Sequence, residues 1–353
     1  MKRLYLIRHG HPDFPLDAHM CLGRTDTPLG PLGRMQACLL GQALAGRHWG
    51  AVFASPLLRC RETAAPLNGA PRLVEALAEQ DMGPWDGLDF TQIGRDWPEL
   101  VARRGAEPLL VPPGAEPIEQ VQRRVVPAIT ACAEESPGDL ALVAHASVIQ
   151  AFLAWVRQIP LEESRPLRPP YTGCTVLEYE NGRFTVLRDA QVFCPPLTGA
   201  LAEKLLAAAD PGERVQAHCR AVARQALRLA DALPQPPDRE LLYAAALLHD
   251  VARAREGHAR EGARWLEALG YPAAAALVAQ HHDHSGEALD ATGLLYLADK
   301  LVQENQVVSL EERFAASGAK CRDEEAQAAH ARRYRAAMEL KREWEAQSGL
   351  TLT

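Results

Sequence analysis

At 353 residues the chain is longer than one ordinary core sustains, so two domains are the default expectation. Its 47% hydrophobic and 24% charged residues are globular proportions, and a net charge of −7 argues against nucleic acid as partner, because phosphate backbones call for basic stripes. Only four apolar residues separate Arg3 from Arg8, too few for a signal-peptide core. No apolar stretch reaches the ~18 residues of a membrane helix, so a cytoplasmic protein without a membrane partner is expected.

The first 190 residues alternate two patterns. Leu4–Ile7, Ala51–Ala54 and Leu140–Ala144 are short apolar runs suited to strands buried on both faces. Helical periods over Pro31–Ala45 and Glu119–Glu134 lie between them. Such alternation predicts an α/β domain with a mostly parallel sheet flanked by helices. Asn181-Gly182, between Cys174–Glu180 and Arg183–Arg188, signals a hairpin. Beyond Pro195-Pro196 the sequence becomes alanine-rich and helical in period, with helices expected over Ala217–Leu233, Glu240–Ala252, Ala259–Leu269 and Ala274–His281. The organisation read from these patterns is a domain over 1–195, a linker over 196–211 and an all-α domain over 212–353, with its core at 212–305 and charged helices at 306–353. Eight cysteines are scattered without a C-x-x-C pair, which points to reduced thiols.

Each buried strand of the first domain is followed by residues that carry chemistry. Arg8-His9-Gly10 follows the first, Ser55-Pro56 with Arg59 and Arg61 the second, and His145 the third. Ligands of open α/β sheets sit outside the carboxyl ends of the strands, so two histidines and at least two arginines are expected to converge there. Guanidinium forks suit phosphate oxygens, a neutral imidazole can attack phosphorus, and a second imidazole can stabilise the charge in transit. Glu79, in the loop EQDMGPWDG, is available as the acid for the leaving group. His11, His19 and His48 are read as surface or rim residues, Arg61 as structural, and Arg24 and Asp26 as either turn formers or substrate contacts.

RHG at 8–10, GRTDTPLGPLGRMQA at 23–37, SPLLRCRETA at 55–64, EQDMGPWDG at 79–87 and VAHASVI at 143–149 together resemble the histidine phosphatase (phosphoglycerate mutase-like) superfamily. The resemblance implies His9 as phosphoacceptor, Arg8, Arg59 and His145 as the phosphate pocket, Glu79 as proton donor, and no metal requirement. The 66-residue step from Glu79 to His145 resembles the phosphatase branch, α-ribazole phosphatases included, more than the mutases. His11-Pro12 after RHG departs from the family pattern and bears on the substrate.

Six of the 12 histidines lie between residues 218 and 284. His218, His249-Asp250, His258, His281-His282 and Asp299 fall on successive helices, and such donors suit divalent Fe, Mn, Co, Ni or Zn. AALLHDVAR followed by LLYLADKLV resembles the HD superfamily of metal-dependent phosphohydrolases. The resemblance implies His218, His249, Asp250 and Asp299 as core ligands of one or two ions. His258 and His281 match the additional positions of two-metal members, and His282 is an alternative to His281. Lys300 is placed to face a phosphate. The expectation is a bifunctional phosphohydrolase: a phosphomonoesterase acting on a small phosphorylated metabolite, followed by an HD domain cleaving a phosphoester or phosphoanhydride of nucleotide type. Two alternatives stay open, an HD domain that binds a nucleotide only to regulate, and a mutase-type phosphotransferase.

Overall fold

The computed structural model describes residues 1–352 except 69, 285–287 and 320. The chain divides into two compact units, Met1–Cys194 and Pro195–Thr353. In the first, the strands and helices are, in chain order, β1 (Lys2–Arg8), β2 (Met20–Cys21), α1 (Pro31–Leu44), β3 (Ala51–Ala54), α2 (Leu58–Ala64), β4 (Arg72–Leu73), β5 (Leu88–Asp89), α3 (Phe90–Asp96), α4 (Pro98–Ala106), α5 (Ile118–Glu135), β6 (Leu140–Ala144), α6 (Ala146–Arg157), β7 (Cys174–Glu180) and β8 (Arg183–Gln191). Six strands form one sheet in the order β4-β3-β6-β1-β7-β8. Strands β1, β3, β4 and β6 run parallel, and β7 and β8 are antiparallel additions. Asn181 and Gly182 both adopt positive φ (50° and 78°) at the β7–β8 turn, the conformation that favours this residue pair in hairpins.

The alternation of side chains along the strands fills two cores. Leu4, Leu6, Phe53, Leu140 and Leu142 pack on one face with Val121, Val125, Ile129 and Phe152 of α5 and α6. Tyr5, Ile7, Val52 and Val143 pack on the other with Leu40, Leu44, Cys60 and Ala64 of α1 and α2. Cover on both faces is why these strands read as unbroken apolar runs. The register pairs Arg8 with Ala144 and Ala54 with Val143, which ends β1, β3 and β6 at one level. His9, Ser55 and His145 therefore emerge on one edge. A Cβ on Gly10 would stand 2.7 Å from the Gly33 carbonyl oxygen, and one on Gly33 would stand 2.0 Å from that of His11. The glycine after Arg8-His9 thus lets the strand end lie against the start of α1.

The second unit comprises α7 (Gly199–Ala209), α8 (Glu213–Asp231), α9 (Arg239–Leu248), α10 (His258–Ala268), α11 (Pro272–Gln280), α12 (Ala291–Lys300), a two-stranded β9–β10 ribbon (Val302–Gln303, Gln306–Val307), α13 (Leu310–Gly318) and α14 (Glu324–Ser348). Segment 196–211 was expected to be a linker, but it carries α7. Thr198 caps this helix by accepting from the Leu201 amide (3.2 Å), and Leu201, Leu205 and Leu206 are buried. An apolar helical stripe overrides the proline punctuation just before it. Helix α9 stops at Leu248, short of the expected Ala252, and leaves His249 and Asp250 on the turn beyond it. None of the helices among the described residues is long and apolar enough to cross a membrane.

The Gly33–His11 approach yields a prediction. Gly33→Ala should destabilise the protein by about 1–3 kcal/mol, the usual cost of overpacking, read as a lowered urea midpoint. An unchanged midpoint would show that the α1 start can retreat freely.

Candidate functional site

The first unit gathers its chemistry at the sheet edge. His9 Nδ1 lies 2.7 Å from the Gly10 carbonyl oxygen. A carbonyl only accepts, so Nδ1 carries the hydrogen and Nε2 keeps its lone pair. The His9 and His145 rings meet edge to face, their centroids 5.1 Å apart. His145 Nε2 lies 2.7 Å from the Ser55 hydroxyl and 3.4 Å from Cys60 Sγ. Burial, which pushes the Cys60 thiol up, keeps it protonated. Burial also holds His9 and His145 well below the ordinary 6.5, and Arg59 and Arg8 act in the same direction. Both imidazoles are neutral at pH 7.

Arg59 is fully buried and donates to the Thr25 and Gly23 carbonyl oxygens at 2.8 and 2.7 Å. That loop is held in turn by Asp86, whose carboxylate accepts from the amides of Gly23, Arg24 and Thr25 at 2.7–2.8 Å. Arg8 donates to the Pro169 carbonyl oxygen (2.9 Å) and lies over the Tyr171 ring (3.9 Å). The Nε atoms of Arg8 and Arg59 are buried with no hydrogen-bond partner among the described residues. Glu79 accepts from the Gln80 amide (2.8 Å) and from the Ser147 amide (3.3 Å) at the start of α6. Arg168 donates to Ser147 Oγ and to Gln150 beside it.

Arg8, His9, Arg59 and His145 are therefore neighbours, with Glu79 joined to them through the first turn of α6. Arg61 is exposed. His19 and His48 are exposed, but His11 is not a rim residue. It is buried, its ring packed on Phe14 (4.6 Å) and Tyr171 (5.1 Å), because the turn after Gly10 folds inward against α1. Asp26 accepts from the Leu58 amide (2.6 Å) at the head of α2, and Arg24 pairs with Glu116. Sequence reasoning missed Asp86, Arg168 and Tyr171. Of these only Asp86, in the Trp-Asp-Gly of the Glu79 loop, had a local signal.

In the second unit most donors stand at helix ends, and His218 lies within α8. Asp299 Oδ1 lies 3.1 Å from His218 Nε2 and 3.6 Å from His249 Nε2. Asp250 Oδ1 lies 3.2 Å from His258 Nε2 and 3.5 Å from His281 Nε2. The Nδ1 atoms of His218, His249 and His281 are held by the carbonyl oxygens of Glu304, Ala246 and Val278 at 2.7–2.8 Å. Their Nε2 lone pairs then face carboxylate oxygens, acceptor against acceptor, an arrangement that needs a proton or a cation between them. His249 Nε2 and Asp250 Oδ1 are buried and form no hydrogen bond among the described residues. Against burial, His249 holds the Asp250 carboxyl, and Lys300 that of Asp299, below the ordinary range. Three donor groups each keep their atoms within 4.8 Å: His218-His249-Asp299, His249-Asp250-His281 and His258-His281-His282. His281 belongs to two of them and His282 to one. This donor chemistry fits a divalent ion or a pair of them.

Comparison with known proteins agrees with both halves. Residues 4–191 match the model of the histidine phosphatase superfamily (branch 1). The chain belongs to that superfamily. Residues 215–308 match the HD domain, a metal-dependent phosphohydrolase family. Glucosyl-3-phosphoglycerate phosphatase of Mycobacterium tuberculosis is 30% identical over 173 residues, 45% of this chain and 77% of the relative. A broad-specificity phosphatase of Saccharomyces cerevisiae is 30% identical over 172 residues, 44% of this chain and 70% of the relative. The α-ribazole phosphatase of Shigella flexneri shares the fold, with a TM-score of 0.50 at 21% identity over 54% of this chain and 97% of the relative. This histidine phosphatase superfamily member is a phosphoric ester hydrolase.

The depressed His9 has a stability signature. The folded state keeps the ring neutral while the unfolded chain takes up a proton near pH 6.5, so acidification through that value costs stability. His9→Gln lacks this linkage. Below pH 6.5 wild type should therefore lose stability relative to the variant by up to about 1.4 kcal/mol per pH unit, measured by urea unfolding. A gap independent of pH would mean that His9 titrates normally.

Proposed function

We propose that the first unit hydrolyses phosphomonoesters through a phosphohistidine at His9. The observation that carries this reading is the free Nε2 lone pair of a buried neutral imidazole, set beside two guanidinium groups whose Nε donors lack acceptors among the described residues. Phosphate oxygens supply those acceptors, so Arg8, Arg59 and His145 hold the phosphoryl group. His9 Nε2 attacks phosphorus while the P–O bond to the leaving alkoxide breaks, and Glu79 in its protonated form gives that oxygen its proton. Glu79 then takes a proton from water as the water attacks phosphorus, and the P–N bond breaks to free phosphate and His9. A sugar-bearing phosphoglycerate in one relative's name and broad specificity in another's support a small phosphorylated metabolite as substrate.

The second unit, Pro195–Thr353, acts on a phosphoester or phosphoanhydride with one or two divalent ions. His218, His249, Asp250 and Asp299 hold the first ion, and His258 and His281 extend the site to a second. A bound ion supplies charge neutralisation and an acidified water. Lys300 donates to Asp299 Oδ2 (2.6 Å), which leaves Oδ1 to face the two histidines. The backbone carbonyls that hold three Nδ1 atoms fix ring orientation before any ion arrives.

Turnover of an aryl phosphomonoester by the full chain should survive a strong chelator, fall about a thousandfold or more in His9→Ala, and fall about 10²–10⁴-fold in Glu79→Gln. Activity lost to chelation and restored by a divalent metal would overturn the assignment to His9. Metal content, measured by elemental analysis, should drop in His249→Ala and Asp250→Asn; full content in both would overturn the ligand set.

A further inference from the structure

The metal cluster opens into a cavity of about 490 Å³, lined by His218, Asp250, Asp299 and Lys300 together with Arg214 and Arg313. Sites for small molecules occupy ~300–1,000 Å³, so this space accepts far more than a lone phosphate ion. The two arginines flank the segment matched to the HD domain, which spans 215–308, so the cavity wall is completed by residues outside that segment.

Arg313 is fixed by its helix. Ser309 and Glu312 close a capping box at the start of α13, and Leu310 and Phe314 on either side of Arg313 in sequence are buried. Its Nε is buried with no hydrogen-bond partner among the described residues. An unpaired buried guanidinium donor is costly unless a ligand supplies the acceptor. Arg214 pairs with Glu304 (2.8 Å), whose backbone carbonyl oxygen also holds His218 Nδ1 (2.8 Å). The cationic wall is thereby connected to a residue of the proposed metal centre.

We propose that Arg313, with Arg214, receives a second phosphate of the ligand, so that the HD unit takes molecules carrying two or more linked phosphates rather than a lone phosphomonoester. The proposal rests on the metal-site reading above. One phosphate lies at the carboxylate and imidazole cluster, and the next presents its oxygens to the guanidinium groups, whose planar forks suit them.

The test uses the full chain loaded with Mn²⁺, whose water-proton relaxation reports only ligands near the ion. The probes are adenosine 5′-(α,β-methylene)diphosphate and AMP. Wild type should bind the diphosphate about tenfold or more tightly than AMP. Arg313→Gln should reduce that preference to within about threefold, with Mn²⁺ and AMP affinities unchanged, and Arg214→Gln should reduce it in the same direction. If Mn²⁺ binds but wild type shows no preference, or Arg313→Gln keeps it in full, the proposal is overturned while the metal site stands. If Mn²⁺ does not bind, the metal-site reading fails and the proposal falls with it.

Discussion

One hydrogen bond recurs in both units and everything chemical depends on it: an imidazole Nδ1–H donated to a backbone carbonyl oxygen. Gly10 holds His9 in this way, and Glu304, Ala246 and Val278 hold His218, His249 and His281. The bond fixes the tautomer, and with it which nitrogen keeps a lone pair. It also removes a rotamer search from the moment of reaction or metal capture. In the first unit the acceptor is one residue away, at a strand end that Gly10 allows to press on α1. In two cases of the second it is three residues back, in the last turn of a helix, which explains why His249 and His281 stand just beyond helix ends.

The arginines pose the opposite problem, because a buried guanidinium must be satisfied without being neutralised. Arg59 meets two carbonyl oxygens and, among the described residues, no carboxylate partner. A carboxylate there would cancel the charge that the proposed site offers a phosphate. The negative charge is kept one layer back, in Asp86, which binds the loop through three amides and so sets the carbonyls that hold Arg59. Asp86 is thus a positioning residue for a group it does not touch.

Much of this was legible in the sequence, for identifiable reasons. Strands buried on both faces leave apolar runs, and a parallel sheet sends the residues after those runs to one edge, so Arg8, His9, Ser55 and His145 could be grouped from spacing alone. The helical half announced its donors by residue type. Segment 196–211 was misread because prolines interrupt the pattern just before α7, while its buried leucines carry the helical period. His11 was misplaced because burial of a turn residue depends on what packs over it, here Tyr171, some 160 residues away in sequence. Arg168 and Arg313 had no local pattern at all. A lone arginine on a polar stretch reads as a solvated surface until the fold supplies a neighbouring cavity or carboxylate.

The two units start from the same oriented imidazole and part ways through the sign of their surroundings. Around His9 burial, with Arg59 and Arg8, drives the proton off, which leaves the lone pair that the proposed nucleophile needs. Around His249 burial acts in that same direction, but Asp250 first, then Cys219 and Asp299, reverse it, so the ring is held well above its ordinary value. At the proposed metal site an ion would compete with a proton for the His249 lone pair and would release that proton on binding. A cationic frame therefore suits the nucleophilic role proposed for His9, and an anionic frame the ligand role proposed for His249. The backbone hydrogen bond is common to both, and the charge of the second layer decides which chemistry follows.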